Sequence, residues 1–339
     1  MIILFTSGSG GHIEPAILLN QRLKKKGIAV KLIIGNSYPK SCDAQVLNLP
    51  RKKILLLLYL PVLCWSVMKY FILRRPRLVI GFGGFQSLPV LFIARILGCK
   101  IAIYEPNINF GKANRLLLPF VNAFFLIWIE TVKTLSSGYL QKMFLIRPLI
   151  RESKKSILPK QKFNIVVFGG SQGSQFLNNL AMQLLCDLQH LQNIKLDLIT
   201  GQKFYHQLIT QLSKLNTSIE YHVHDFCSDM SDYYLNADFL ITRAGAQTIV
   251  ELISYCKPAM LIPYPYAGGH QLQNARYLLH QGCCLVVNQE KIDGKVVKNI
   301  ISAIIRNPRI LQAMKRNLEN LKQELFTNLG MEDVIVRFL

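Results

Sequence analysis

The chain has 339 residues, 50% of them hydrophobic, and 40 Lys and Arg against 19 Asp and Glu give a formal net charge of +21. That length allows two domains with separate cores, and the apolar content excludes a largely disordered chain. The charge leaves nucleic acid, an anionic membrane or phosphorylated small molecules as partners, beside the plain alternative of a lysine-rich solvated surface. No aromatic residues interleave with a basic run, and no zinc-finger or basic-zipper spacing occurs, so nucleic acid ranks below the other two. The eight cysteines are scattered, with Cys283 and Cys284 adjacent and no C-x-x-C pair. They read as reduced thiols without a structural metal. The chain enters its first strand at Ile2 with no basic n-region, which argues against a signal peptide.

Residues 2–5 form a short apolar run, followed by the glycine turn Ser7-Gly8-Ser9-Gly10-Gly11-His12. Ile17, Leu18 and Leu23 then mark a helix, which Arg22, Lys24, Lys25 and Lys26 close with positive charge before Gly27. A second strand is expected at 30–34. Residues 54–73 are nearly all apolar, flanked by basic residues, and long enough to span a bilayer. A span would place strands of one sheet on opposite sides of the membrane, because 78–81 reads as the next strand. Pro61 and Lys69 also interrupt the run. A helix lying in the membrane interface is the preferred reading, with Trp65, Tyr59 and Tyr70 as anchors. A crossover helix buried against the sheet is the plain alternative.

Gly81-Phe82-Gly83-Gly84-Phe85 is a further glycine turn, and Ser87 with Pro89 marks the helix behind it. A strand at 100–104 delivers Glu105 and Asn107 to the sheet's carboxyl edge, where ligands bind in open α/β sheets. Residues 147–160, basic and carrying Pro148 and Pro159, read as the interdomain linker.

Residues 164–178 then repeat the opening: an apolar run at 165–168, the turn Gly169-Gly170-Ser171-Gln172-Gly173, and a helix marked by Phe176, Leu177 and Leu180. Strand, glycine turn and helix point backbone N–H groups at an anion, and glycine lets a phosphate approach closely. An incidental βα turn is the alternative. Further strands are expected at 196–200, 220–224, 239–242, 260–262 and 285–287. Two polar groups sit among them: Arg243 to Thr248 leading to Glu251, and a turn ending in His270-Gln271 with Asn274. A helical tail broken near Gly330 closes the chain. Two strand–loop–helix openings a domain length apart point to two Rossmann-like halves facing across a cleft.

Taken in register, these motifs resemble the MurG family, the peptidoglycan N-acetylglucosaminyltransferases of the GT-B class. The resemblance runs along essentially the whole chain. It rests on the 7–12 loop with Pro15-Ala16, the 81–85 loop, and Glu105, Asn107, Gly111, Asn114 and Arg115. It rests equally on the 169–173 loop with Leu177-Asn178, on Arg243, Gly245, Ala246, Thr248 and Glu251, and on His270-Gln271 with Asn274-Ala275. Tyr104 and Pro106 depart from the family's histidine and glutamine, and Gln86 and Leu88 alter the second loop. Arg151 lies one place later than the family's linker arginine.

The resemblance implies an α/β chain with an acceptor and membrane-associated domain over 1–150, a UDP-sugar domain over 151–325, and a helical tail over 326–339 packing back on the first domain. It implies inverting transfer of N-acetylglucosamine from UDP-GlcNAc to the C4 hydroxyl of the muramyl sugar of lipid I. The enzyme would work peripherally at the cytoplasmic face of the cell membrane, on an anionic lipid surface. His12 and Glu105 are rival candidates for the base. Ser9, Gly10, Gly11 and Asn107 would line the acceptor side. Ser171 and Gln172, read as the helix start, would hold the donor diphosphate, with Ala246, Gln247 and Thr248 beside it. Cys227 would lie at the uracil, Glu251 at the ribose and Gln271 at the sugar hydroxyls. With no convincing Asp-x-Asp motif, no metal and no cofactor are expected. Competing readings are another lipid-acting GT-B transferase and a non-catalytic membrane-associated UDP-sugar-binding subunit. A dinucleotide-dependent oxidoreductase ranks lower, since neither loop gives G-x-G-x-x-G with an acidic residue closing the next strand.

Overall fold

The computed structural model describes residues 1–8, 10–35, 43–47, 49, 53–151, 161–191, 193–266, 268–292 and 294–338. Ser9 and most of the expected linker, residues 152–160, lie outside the described residues. The chain divides into two compact units, Met1–Ile150 with Leu325–Leu339, and Arg151–Glu324.

The first unit runs β1 (Ile2–Thr6), α1 (Gly10–Lys25), β2 (Val30–Ile34), β3 (Gln45–Val46), α2 (Lys53–Arg74), β4 (Leu78–Gly81), α3 (Ser87–Ile96) and β5 (Lys100–Glu105). It continues with α4 (Lys112–Leu117), β6 (Ala123–Leu126), α5 (Ile129–Val132) and β7 (Met143–Leu145). All seven strands are parallel, in the order β3-β2-β1-β4-β5-β6-β7. Every residue of β1 and β4 is buried. Their unbroken apolar runs follow from helices covering both faces of a parallel sheet.

The second unit runs β8 (Phe163–Phe168), α6 (Gln175–Asp187), β9 (Ile194–Ile199), α7 (Tyr205–Leu212), β10 (Glu220–His224), α8 (Ser231–Asn236) and β11 (Phe239–Thr242). It closes with α9 (Ala246–Ser254), β12 (Ala259–Leu261), α10 (His270–His280), β13 (Cys284–Val286) and α11 (Gly294–Arg306). Its six parallel strands take the order β10-β9-β8-β11-β12-β13. Strand order reverses beside β1 in one sheet and beside β8 in the other. Glycine loops follow β1, β4 and β8 at the carboxyl ends, where open α/β sheets bind ligands.

The tail forms α12 (Arg309–Phe326) and α13 (Met331–Phe338). Glu332 of α13 is buried, accepts from Arg147 Nη2 at 2.8 Å, and lies 3.5 Å from Arg22 Nη1. Arg22 Nη2 donates in turn to the Ile150 carbonyl at 3.0 Å. These contacts fasten α13 to α1 and to the chain after β7. Removing both arginines would leave the Glu332 carboxylate buried without a counter-ion, the costly case for a buried charge.

Helix α2 is amphipathic in burial though not in composition. Leu63, Val67 and Phe71, at i, i+4 and i+8, enter the core of the first unit. Trp65 (66% exposed), Val62, Ile72 and Leu73 point outward. The chain reaches α2 from β3 and leaves it into β4, both strands of one sheet. Among the described residues no helix is long and apolar enough to cross a membrane.

Candidate active site

In the first unit two glycine loops meet around an imidazole. His12 lies in the first turn of α1, half-buried. Gly83 has φ +89°, and a Cβ there would come within 2.9 Å of His12 Nδ1. The left-handed backbone and the absent side chain at Gly83 together let the β4–α3 loop close against the ring. Gly10 begins α1 and is buried, and Gly11 is half-buried beside it.

Glu105, at the end of β5, is 1% exposed and has both oxygens engaged. Oε1 accepts from Asn107 N (3.1 Å) and Asn107 Nδ2 (2.8 Å). Oε2 accepts from Gly111 N (2.7 Å) and Asn114 Nδ2 (2.9 Å). One carboxylate thus gathers the 105–114 loop by four charge-assisted hydrogen bonds. The loop is braced from outside by Trp128 Nε1 donating to the Pro106 carbonyl (2.8 Å) and Thr131 Oγ1 to the Asn107 carbonyl (3.2 Å). Glu105 thus organises a loop, and His12 places its side chain against the glycine turn after β4. Tyr104 is buried against Phe82, ring centroids 5.2 Å apart, and burial raises its phenol far above the ordinary range.

In the second unit the 169–174 turn differs from expectation in one detail. Helix α6 starts at Gln175, and Ser174 is its N-cap, accepting from Leu177 N at 3.4 Å. Ser171, half-buried, and Gln172, exposed, therefore sit in the turn before the helix and not at its start. Gly173 closes that turn at φ +70°, where a Cβ would meet the Gly201 Cα at 2.9 Å.

Helix α9 has the opposite beginning. Its N-cap is Gly245, with no side-chain cap, so Ala246, Gln247 and Thr248 present first-turn N–H groups of the kind that hold anions. One turn further on, Glu251 accepts from Tyr234 Oη at 2.8 Å and from Gln247 Nε2 at 3.1 Å. Tyr234 is fully buried between Tyr255, stacked at 5.1 Å, and Phe168. Burial, then the Glu251 charge, holds its phenol well above the usual value, so it remains a donor that orients the carboxylate.

Gln271 lies in the first turn of α10 and its side-chain oxygen accepts from Tyr264 N at 2.9 Å. Cys227 lies in the loop after β10, its thiol donating to the Asp229 carbonyl at 2.9 Å. The Asp229 carboxylate also takes Ser231 N and Oγ, and Arg151 Nη1 lies 3.6 Å from it. The arginine at the displaced linker position is thus anchored to the loop that carries Cys227. The second unit brings Ser171, Gln172, Cys227, Ala246, Thr248, Glu251 and Gln271 to loops and helix starts at one edge of one sheet. Gly10, Gly11, His12, Glu105 and Asn107 share the corresponding edge of the other. Among the described residues no group of three His, Cys, Asp or Glu side chains could hold a metal ion.

The glycosyltransferase family 28 C-terminal domain matches residues 164–329, and the family's N-terminal domain matches residues 2–47. The UDP-N-acetylglucosamine--N-acetylmuramyl-(pentapeptide) pyrophosphoryl-undecaprenol N-acetylglucosamine transferase of Rickettsia bellii is 32% identical over 357 residues, covering 98% of this chain and 99% of that one. The chain belongs to the MurG family. The Bdellovibrio bacteriovorus transferase of the same name is 28% identical, with 94% of each chain covered. The crystal structure of Acinetobacter baumannii MurG superposes with a TM-score of 0.74, at 22% identity over 99% of this chain and 98% of that one. The fold is accordingly the GT-B pair of Rossmann-like domains. Among the candidate residues and their partners, the Tyr234–Glu251 contact and the Arg151–Asp229 pair cannot be read from the sequence. Nothing in the run Asp232-Tyr233-Tyr234 tells which tyrosine faces a glutamate 17 positions on.

Proposed function

We propose that this chain transfers N-acetylglucosamine from UDP-N-acetylglucosamine to the C4 hydroxyl of the muramyl sugar of lipid I, yielding lipid II. The observation that carries this reading is the 32% identity to a transferase of that name over 98% of one chain and 99% of the other. The second unit's loops fit a nucleotide sugar. Glu251, held by Tyr234 and Gln247, would accept hydrogen bonds from the ribose hydroxyls. The loop at Cys227 would receive the uracil, and the side-chain amide of Gln271, its oxygen held by Tyr264 N, the sugar hydroxyls. The first turn of α9 and the Ser171-Gln172 turn would meet the diphosphate.

The chemistry is an inverting displacement at the anomeric carbon. His12 is the proposed base, taking the proton from the C4 hydroxyl as the new C–O bond forms and the bond to UDP breaks. Charge developing on the departing diphosphate would be met by the uncapped N–H groups of α9, fixed in place before the reaction. Glu105 and Asn107 would shape the acceptor loop and keep its backbone in register.

The acceptor's lipid tail implies work at a membrane, and the first unit carries a surface suited to one. Trp65, Ile72 and Leu73 of α2, Phe92 and Ile96 (76% exposed) of α3, and Leu116 of α4 are exposed apolar side chains. Lys69, Arg74, Arg75 and Arg95 are exposed on the same two long helices or at their ends. Apolar side chains dip below the headgroups while Lys and Arg meet anionic lipid. Peripheral binding to the cytoplasmic leaflet is therefore part of the proposal.

The test is UDP release. Addition of a soluble lipid I analogue to enzyme and UDP-GlcNAc is expected to release UDP at least about a hundredfold faster than donor alone, the low end of base-assisted catalysis. Undecaprenyl diphosphate without the muramyl sugar is expected to leave the rate at background. Equal release with and without the analogue would reject the acceptor assignment.

A further inference from the structure

Helices α8 and α9 are tied together by two reciprocal hydrogen bonds. Ser231 and Tyr234 lie three apart on α8 and are both buried. Glu251 lies on α9, and Tyr255 caps the end of that helix. Tyr234 Oη of α8 donates to Glu251 Oε2 at 2.8 Å, and Tyr255 Oη donates back to Ser231 Oγ at 2.9 Å. Between these bonds the two rings lie parallel, with an interplanar angle of 3° and centroids 5.1 Å apart, the offset stack that aromatic pairs favour. Ser231 Oγ donates onward to Asp229 Oδ1 at 2.6 Å, and the same oxygen takes Ser231 N at 3.1 Å. The Asp229 carbonyl accepts the Cys227 thiol, and its carboxylate lies 3.6 Å from Arg151 Nη1.

Burial holds both phenols above their ordinary value, so both are donors at neutral pH. Their acceptors belong to different halves of the nucleoside site. Glu251 stands at the ribose position, and the hydroxyl relay from Tyr255 ends in the loop that carries Cys227, at the uracil position. One hydrogen bond would let either helix turn about it. Two bonds running in opposite directions, with a stacked pair between them, hold α8, α9 and the 227–231 loop in one register. A run of hydroxyls ending on a carboxylate is also stronger than its links taken singly. Resting on the donor reading of these loops, we propose that the Tyr234–Tyr255 stack couples recognition of the base to recognition of the ribose. Tyr255 is a positioning residue that sets the 227–231 loop against Glu251, so that a displacement at one end is felt at the other.

Calorimetric titration of the full chain with UDP, 2′-deoxy-UDP and CDP tests the coupling. The preference for UDP over 2′-deoxy-UDP reads the Glu251 end, and the preference for UDP over CDP reads the loop end. Tyr255→Phe deletes only the hydroxyl at the loop end, and Tyr234→Phe only that at the Glu251 end; both keep the stack. Each is expected to weaken UDP binding about two- to thirteenfold, the range of one hydrogen bond. Each is also expected to lower the preference read at the opposite end by at least about twofold, the low end of coupling between residues in contact. Ser231→Ala cuts the same relay and is expected to match Tyr255→Phe; it serves if that variant does not fold. Loss confined to each variant's own end would overturn the coupling and leave the transferase reading intact. So would an equal loss for all three ligands, the pattern of a merely structural role, or a native chain that binds UDP without preferring it to either analogue. Failure of the native chain to bind UDP would overturn both.

Discussion

Replacing Glu105 with Gln separates a loop organiser from a catalytic base. The carboxylate accepts two hydrogen bonds on each oxygen, at 2.7 to 3.1 Å, from Asn107, Gly111 and Asn114. Glutamine is isosteric but has one oxygen and one NH2. Whichever way the amide turns, its NH2 faces a backbone N–H, of Asn107 or of Gly111, and an asparagine side-chain amide, so up to two hydrogen bonds are lost. Hydrogen bonds to a charged acceptor contribute about 1.5–3 kcal/mol each, so the loss is about 1.5–6 kcal/mol. Against a native stability of about 5–15 kcal/mol, this is a large change. Trp128 reports on it directly, because it is fully buried and its indole N–H holds the Pro106 carbonyl inside the same loop. Urea unfolding followed by its fluorescence is expected to show a marked fall in midpoint for Glu105→Gln. A midpoint equivalent to less than about 1 kcal/mol of change would mean that the carboxylate does not hold the loop together. If that near-native midpoint came with a transfer rate reduced by about 10²–10⁴, the role of base would return to Glu105.

Tyr234→Phe removes the phenol that orients Glu251 and keeps the stacked ring. It is expected to raise KM for UDP-GlcNAc about two- to thirteenfold, from loss of a hydrogen bond of about 0.5–1.5 kcal/mol, with kcat within about twofold. Steady-state kinetics across donor concentration would check this, and an unchanged KM would remove Tyr234 from the donor site. Replacing Trp65 and Leu73 together by Glu is expected to release the protein from vesicles rich in anionic lipid while leaving UDP-GlcNAc affinity unchanged. Undiminished co-sedimentation would exclude the outer face of α2 as the membrane contact. Burial raises the Cys283 thiol from 9.0 to about 11. The unfolded chain then loses its proton first, so stability present below about pH 9 declines as pH rises toward 11. Cys283→Ala is expected to flatten that alkaline decline in thermal melts, and an unaltered slope would assign it to other groups.

The architecture is legible in the sequence because its signals are local. An apolar run followed by glycines marks β1, β4 and β8, and a buried parallel strand needs no alternation to be recognised. All six strands of the second unit fall within two residues of their expected places. The parts that cannot be read are contacts between distant positions. Glu105 looks like a reactive carboxylate by type and place, and only the folded loop reveals that its neighbours' N–H groups occupy both oxygens. Ser174 caps α6 through a single hydroxyl, which moves the helix start past Ser171 and Gln172. Arg243 is conspicuous as a motif residue, but its partners, Ser174 Oγ and the Ile262 carbonyl, come from two loops that only the fold brings to it. Helix α2 illustrates the same limit: its composition is apolar all round, and which side faces out depends on α3 and the sheet.

Transfer of labelled N-acetylglucosamine to a short-chain lipid I analogue, run in EDTA, tests the central claim most directly. The expected result is a labelled lipid product carrying one added sugar, formed only when both UDP-GlcNAc and the analogue are present. Donor binding without lipid product, in EDTA and again with magnesium, would contradict the assigned acceptor. No donor binding at all would contradict the assignment of the second unit's loops to a nucleotide sugar.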